Sequence, residues 1–325
     1  MHIPDGFLDA KTAGVTAALS ALAVSAALRR LKKKLPRRKI PLMGLSAAFL
    51  FVAQMINFPV GGGTSGHLLG GVLSAVLLGP AEALVVMVSV LLVQCFLFAD
   101  GGLVALGANV FNMGIIGTLF GYGLYTALVR VLPGERWAMV ALAVAAWCST
   151  VLAALCCTGE LAWSGTVVWN AAIVPMAGVH MLIGLGEALI TVLVVKAISA
   201  TRPEILMGTN QGGQHRGVLV AFGFAIVFGL AVFVAPFASS LPDGVEAIAA
   251  RLGFDSREVS ALPAVSPFEG YTVRGLTSPR VATAIAGTAG IIVMFFAGYF
   301  IARMIASRGA SGEAMKESEH APRIP

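Results

Sequence analysis

Residues 29–39 read RRLKKKLPRRK, eight basic side chains in eleven positions. Apolar runs flank the stretch on both sides, at 12–29 and 40–58. A basic loop held between two runs of about 20 apolar residues, each long enough to cross roughly 30 Å of hydrocarbon, is a membrane-topology signal. Working outward, further runs lie at 80–98, 104–130, 136–158, 172–199, 217–237 and 281–304, and a shorter one at 67–79 ends at Gly79-Pro80. The composition of the 325 residues agrees, with 58 % hydrophobic, 12 % charged and a mean hydropathy of +0.88. A soluble domain coats its surface with about 25 % charged residues. The natural solvent for most of this chain is therefore membrane lipid.

Basic loops face the cytoplasm, which puts 29–39 inside and the N-terminus outside, together with the loop 59–66. The run 67–79 is a tilted short helix or a re-entrant half-helix. If 67–98 traverses twice, Arg130, Arg136, Lys196, Arg202, Arg216, Arg303, Arg308 and Lys316 all fall inside; if it is one kinked helix, they all fall outside. The first choice predicts an all-α polytopic membrane protein of about nine segments in the cell membrane, N-terminus outside and C-terminus cytoplasmic. Residues 1–200 form one transmembrane part. Residues 201–216 (TRPEILMGTNQGGQHR) read as a Gly- and Gln-rich cytoplasmic linker. Residues 217–308 form a two-helix part with an outer loop at 238–280, and 309–325 a polar tail without regular structure.

The net charge of +6 does not point to nucleic acid, because so much of the basic charge sits in the 29–39 loop. Cys95, Cys148, Cys156 and Cys157 lie in apolar runs without a CxxC pair and read as small buried hydrophobes. The opening residues carry Asp5, Asp9 and a single Lys11 rather than the basic start of a cleavable signal peptide. No GxxxxGK[ST], HExxH or GxSxG pattern occurs. The chain reads as a non-enzyme, and active transport through it must draw on a gradient or on an ATPase partner.

The opening Met1-His2-Ile3-Pro4-Asp5-Gly6 carries chemistry. The bulky His2 protects Met1 from aminopeptidase trimming, so a free amine is expected there. An α-amine has a pKa of about 7.7–8.0 and gives up its proton readily to a metal. Before a histidine it begins a chelate of three nitrogens: the Met1 amine, the His2 amide and the His2 imidazole. Fused chelate rings favour a plane, and a fourth nitrogen completes a square suited to Ni(II) or Cu(II). His67 follows the Gly61-Gly62-Gly63-Thr64-Ser65-Gly66 turn on the same outer side and is the candidate fourth ligand.

Glu82, Asp100, Asn109, Asn112, His180 and Glu187 are polar groups within or beside apolar runs, which makes each a functional candidate. His180 and Glu187, seven apart, share a helix face and could support the ligands from behind or serve as interhelical hydrogen-bond glue. Gly117 and Gly121 form a GxxxG spacing for close helix packing.

MHIPDGF at 1–7, GHLLGGVLSAVLLGP at 66–80, GANVFNMGIIG at 107–117 and HMLIGLGEALIT at 180–191 together resemble the CbiM/NikM family. These are substrate-binding components of energy-coupling-factor transporters for cobalt or nickel. The resemblance covers residues 1–200 and implies metal coordination by Met1, His2 and His67. It also implies partners, a transmembrane coupling protein and cytoplasmic ATPase subunits, and a supply of metal to cobalamin biosynthesis or nickel enzymes. Leu241-Pro242-Asp243-Gly244-Val245-Glu246, Ser266-Pro267 and Tyr271-Thr272-Val273 resemble the PDGLE-type accessory component, with valine in place of leucine. The expected function is capture of Ni(II) or Co(II) at the outer face, with no cofactor beyond the transported ion. The alternative is a stand-alone, gradient-driven carrier or channel.

Overall fold

The computed structural model describes residues 1–203, 216–259 and 266–319. Helix α1 (Ala10–Lys34) begins where the Asp9 carboxylate accepts from the Thr12 amide at 2.9 Å, and it ends on Lys32, Lys33 and Lys34. An N-cap acceptor at one end and cations against the exposed carbonyls at the other both favour a helix. Helix α2 (Ile40–Met55) follows the basic loop. A hairpin of β1 (Phe58–Gly61) and β2 (Thr64–Gly66) comes next, turning on Gly61, Gly62 and Gly63, all at positive φ. Helix α3 (Gly71–Leu78) has eight residues. The long helices α4 (Pro80–Phe98), α5 (Leu106–Val131), α6 (Glu135–Trp163), α7 (Trp169–Thr201) and α8 (Gly217–Phe237) succeed it. Short α9 (Gly244–Leu252) and long α10 (Pro279–Glu319) complete the chain.

Among the described residues, seven helices are long and apolar enough to cross a membrane: α1, α4 to α8, and α10 over Pro279–Ala306. The apolar pattern predicts nine. The difference lies in α2, with 16 residues, and α3, with 8, or about 12 Å of rise. Pro59 disfavours helix at the residue before it, and the chain turns extended from Ile56 into the hairpin. Residues 67–70 are non-helical and end on Gly70 at φ +72°, so four of the thirteen residues of the apolar run are spent before α3 begins. The apolar hairpin also qualifies the all-α expectation: the fold is helical apart from these two strands.

Hydrogen bonds sort the loops into two ends. Lys39 binds both the Leu78 carbonyl and the Glu82 carboxylate, so the α3–α4 turn shares an end with the basic loop. At the opposite end, Ser239 N donates to Asn57 O, Gly102 N to Ile3 O, Val259 N to Asp5 O, and Thr166 Oγ1 to Phe7 O. The N-terminus, the hairpin, the α4–α5 and α6–α7 loops and the described residues of the 238–278 segment thus form one layer.

The core is continuous across the two parts of the chain. Ile3, Phe7, Phe51, Met87, Val245, Ile291 and Met294 belong to one buried cluster. Helices α2 and α10 meet at glycines: a Cβ on Gly298 would sit 3.1 Å from the Gly44 Cα, and one on Gly44 would sit 2.7 Å from the Phe295 carbonyl oxygen. The Gly117 and Gly121 spacing serves contacts within the chain, with Leu69 and Val72 against them. Most of the expected linker at 201–216 lies outside the described residues. Helix α10 continues through Glu319 into the stretch expected to lack regular structure, which is rich in the helix formers Ala, Met, Lys and Glu; residues 320–325 lie outside the described residues.

Candidate metal centre

The first seven residues are threaded into the core. Met1 is 5 % exposed, Ile3 0 % and Phe7 1 %. Asn109 on α5 holds Ile3 in both directions: its side-chain oxygen accepts from Ile3 N at 2.8 Å, and its amide donates to Ile3 O at 3.1 Å. The Asp5 carboxylate accepts from three successive amides, Leu103, Val104 and Ala105, at 2.8 to 3.0 Å. It thereby satisfies the bare N–H groups at the head of α5. Gly102 packs so closely on Asp5 that a Cβ would lie 2.1 Å from its carboxylate oxygen.

This threading brings Met1, His2 and His67 together. The Met1 amine donates to His67 Nε2 at 2.7 Å, and the His2 and His67 rings stack with centroids 5.3 Å apart. His67 Nδ1 donates to the Leu68 carbonyl at 3.1 Å, which leaves the Nε2 lone pair directed at the amine. Burial, then the charge of the amine, then His2, hold the His67 imidazole well below its usual range. Burial also lowers His2, with Asp100 opposing. Both rings are therefore neutral at pH 7, the form in which imidazole binds a metal.

His2 is held from both sides. Tyr271 donates its hydroxyl to Asp100 and accepts from the Gln94 amide at 3.1 Å. His2 Nε2 lies 3.2 Å from the Gln94 side-chain oxygen, and its Nδ1 lies 3.1 Å from Asp100 Oδ1. Nδ1 is the nitrogen that closes a six-membered chelate ring with the His2 amide.

Asp243 completes the surround. Its Oδ2 lies 2.7 Å from the Met1 amine, while its Oδ1 caps α9 by accepting from Val245 and Glu246 amides. Glu246 returns a bond to the Asp243 amide, completing a capping box. Burial pushes the Asp243 carboxyl up, but the amine, His67 and its hydrogen bonds outweigh that and hold it well below the usual carboxylate range.

His180 and Glu187 sit on the buried face of α7 in different settings. Glu187 accepts from the Leu69 and Gly70 amides at 2.6 and 2.8 Å, pinning the segment that follows His67. His180 lines a cavity together with Met1, His67 and Asp243. Four residues around the centre lie outside the sequence-based site set: Asp243, Tyr271, Asp100 and Gln94. Asp100 drew attention only as a membrane polar group. Asp243 and Tyr271 stood inside recognised accessory motifs, but their contacts span 242 and 171 residues of chain. Asn112 bonds Glu160 at 2.7 Å between α5 and α6, and Glu82 bonds Lys39, both away from the centre.

Among the described residues, no group of three or more His, Cys, Asp or Glu side chains is arranged to hold a metal ion. A metal at this point needs the backbone nitrogens, which Met1 and His2 supply.

Residues 2–205 match the family model described as "Cobalt uptake substrate-specific transmembrane region", and 216–307 match the "PDGLE domain". The chain is 35 % identical over 312 residues to the Archaeoglobus fulgidus protein named "Putative fused nickel transport protein NikMN", covering 93 % of this chain and 98 % of that one. It is 34 % identical to the "Cobalt transport protein CbiM" of Acetohalobium arabaticum, over 60 % of this chain and 80 % of that one. A solved structure titled "Crystal Structure of an transition metal transporter" superposes with a TM-score of 0.57 at 30 % identity, covering 70 % of this chain and 99 % of that one.

Proposed function

Since this chain belongs to the CbiM family of cobalt uptake substrate-specific transmembrane regions and carries a PDGLE domain, we propose that it captures Ni(II) or Co(II) at the outer face of the plasma membrane for uptake. The observation that carries this reading is the 2.7 Å approach of the Met1 amine to His67 Nε2, with the His2 ring stacked on that of His67. The proposed ligands are four nitrogens: the amine, the His2 amide, His2 Nδ1 and His67 Nε2. Such a set favours a planar ion, which speaks for nickel. On loading, the amine and the amide give up protons, and the amine leaves its ion pair with Asp243.

The proposed topology has nine crossings, with the N-terminus outside and the C-terminus cytoplasmic. The two hydrogen-bonded ends support it, because the turn at Gly79-Pro80 lies beside the basic loop; α3 and the non-helical residues before it make one leg of the double traverse. The 1–200 part then binds the ion and the 217–308 part covers it. Uptake would draw on a transmembrane coupling protein and cytoplasmic ATPases, which this chain has no phosphate loop to replace. Metal analysis of the purified chain, after growth in equal nickel and cobalt, tests the site. One equivalent of one metal is expected, and an alanine inserted after Met1 should abolish it, because every side chain remains but the chelate rings do not. Tight binding by the insertion variant would sink the site.

A further inference from the structure

His180 resolves a difficulty that the four-nitrogen set creates, namely how a closely held ion leaves. It lies on α7 and is 1 % exposed. Its Nδ1–H donates to the Met176 carbonyl one turn back at 2.8 Å, which fixes the tautomer and leaves a lone pair on Nε2. That Nε2 is fully buried and has no hydrogen-bond partner among the described residues. It opens on the cavity shared with Met1, His67 and Asp243, which has room for about one water-sized particle. The helix α9 end presses on the ring from the accessory part: a Cβ on Gly244 would lie 2.6 Å from His180 Cε1 and 3.0 Å from Nε2.

An unpartnered buried acceptor is destabilising, and an apolar side chain would fill this place without that penalty. A buried imidazole lone pair facing a cavity that Met1 and His67 also line is a metal donor in waiting. Resting on the proposed N-terminal site, we infer that His180 Nε2 is a transfer ligand, which takes Ni(II) or Co(II) from the Met1–His2–His67 set on the way inward. The step is a ligand exchange. A dative bond forms from His180 Nε2 to the ion and the bond from the Met1 amine breaks. Each is a two-electron donation from nitrogen, so the ion stays divalent. The freed amine recovers its proton from water, and the ammonium re-forms its pair with Asp243. The same face of α7 continues with Glu187 and with Thr191, whose buried hydroxyl also lacks a partner among the described residues.

The test uses the full chain with His180→Asn, whose side-chain amide can keep the bond to Met176 while Nε2 is removed. Two quantities are read: equilibrium Ni(II) binding with its planar absorption band, and Ni(II) uptake by cells carrying the chain with its native partners. The expected result is unchanged stoichiometry and band with uptake reduced by about tenfold or more. Wild-type uptake in the variant overturns the inference, and so does loss of Ni(II) from a variant that melts normally, since His180 would then belong to the resting site. Should His180→Asn not fold, His180→Gln is read by the same outcomes. Failure of the N-terminal site itself is separate: it shows as wild-type Ni(II) binding by the alanine-insertion variant.

Discussion

Asp243 and the Met1 amine are paired at 2.7 Å across 242 residues of chain, with side chains 13 % and 4 % exposed. The PDGLE part thus holds the first residue of the chain, and the same carboxylate starts α9. Asp243→Asn removes the charge but keeps a good N-cap, and the metal-free protein should lose about 1–3 kcal/mol. Asp243→Ala also loses the cap and should lose about 1 kcal/mol more. Thermal melting of the metal-free chain should rank wild type above Asn above Ala; equal melting of all three would show that the pair contributes nothing.

Acidity should weaken metal binding in a defined way. His2 and His67 are held below their usual range by burial, so they hold no proton to displace at neutral pH. The protons released on loading come from the amine and the His2 amide. Two protons released means that affinity falls by about a hundredfold for each pH unit of acidification near pH 7. Ni(II) titrations at several pH values check the slope. A slope near four would mean that both rings are protonated in the metal-free protein.

Glu187→Gln should weaken Ni(II) binding without touching a ligand. The carboxylate accepts from both Leu69 and Gly70 amides, and an amide side chain offers one oxygen where two are used. The segment that positions His67 then loosens, and affinity should fall by about ten- to a hundredfold, the usual effect of removing support behind a ligand. Equilibrium titration measures it, and unaltered affinity would assign Glu187 to packing alone.

Asp5→Ala should be more damaging than its size implies. It strands three amides, at Leu103, Val104 and Ala105, of which the structure gives Asp5 as acceptor. Each unsatisfied group is destabilising by about 1–3 kcal/mol. A large fall in melting temperature and loss of bound metal are expected together, with Asp5→Asn intermediate.

Membrane character and the major helices were legible because each rests on local pattern, apolar run length and basic loops; the approach of His67 to the Met1 amine spans 66 residues and was expected from topology and resemblance rather than from local pattern. The lengths of α2 and α3 were not, since an apolar run does not say whether its residues coil or extend; residues 67–70 spend theirs on a glycine-bent approach to the site. The motif around Asp243 was readable from its residues. Nothing local announced that the second carboxylate oxygen would meet residue 1. Tyr271 escaped for the same reason, because its effect on His2 passes through Asp100 and Gln94, two residues from another part of the chain.

Helix α7 has 33 residues and is about 50 Å long. Glu187, near its middle, grips the backbone two and three residues beyond His67. A shift of the whole helix would therefore carry that backbone with it, so the position of His67 is set by α7 as much as by the hairpin before it.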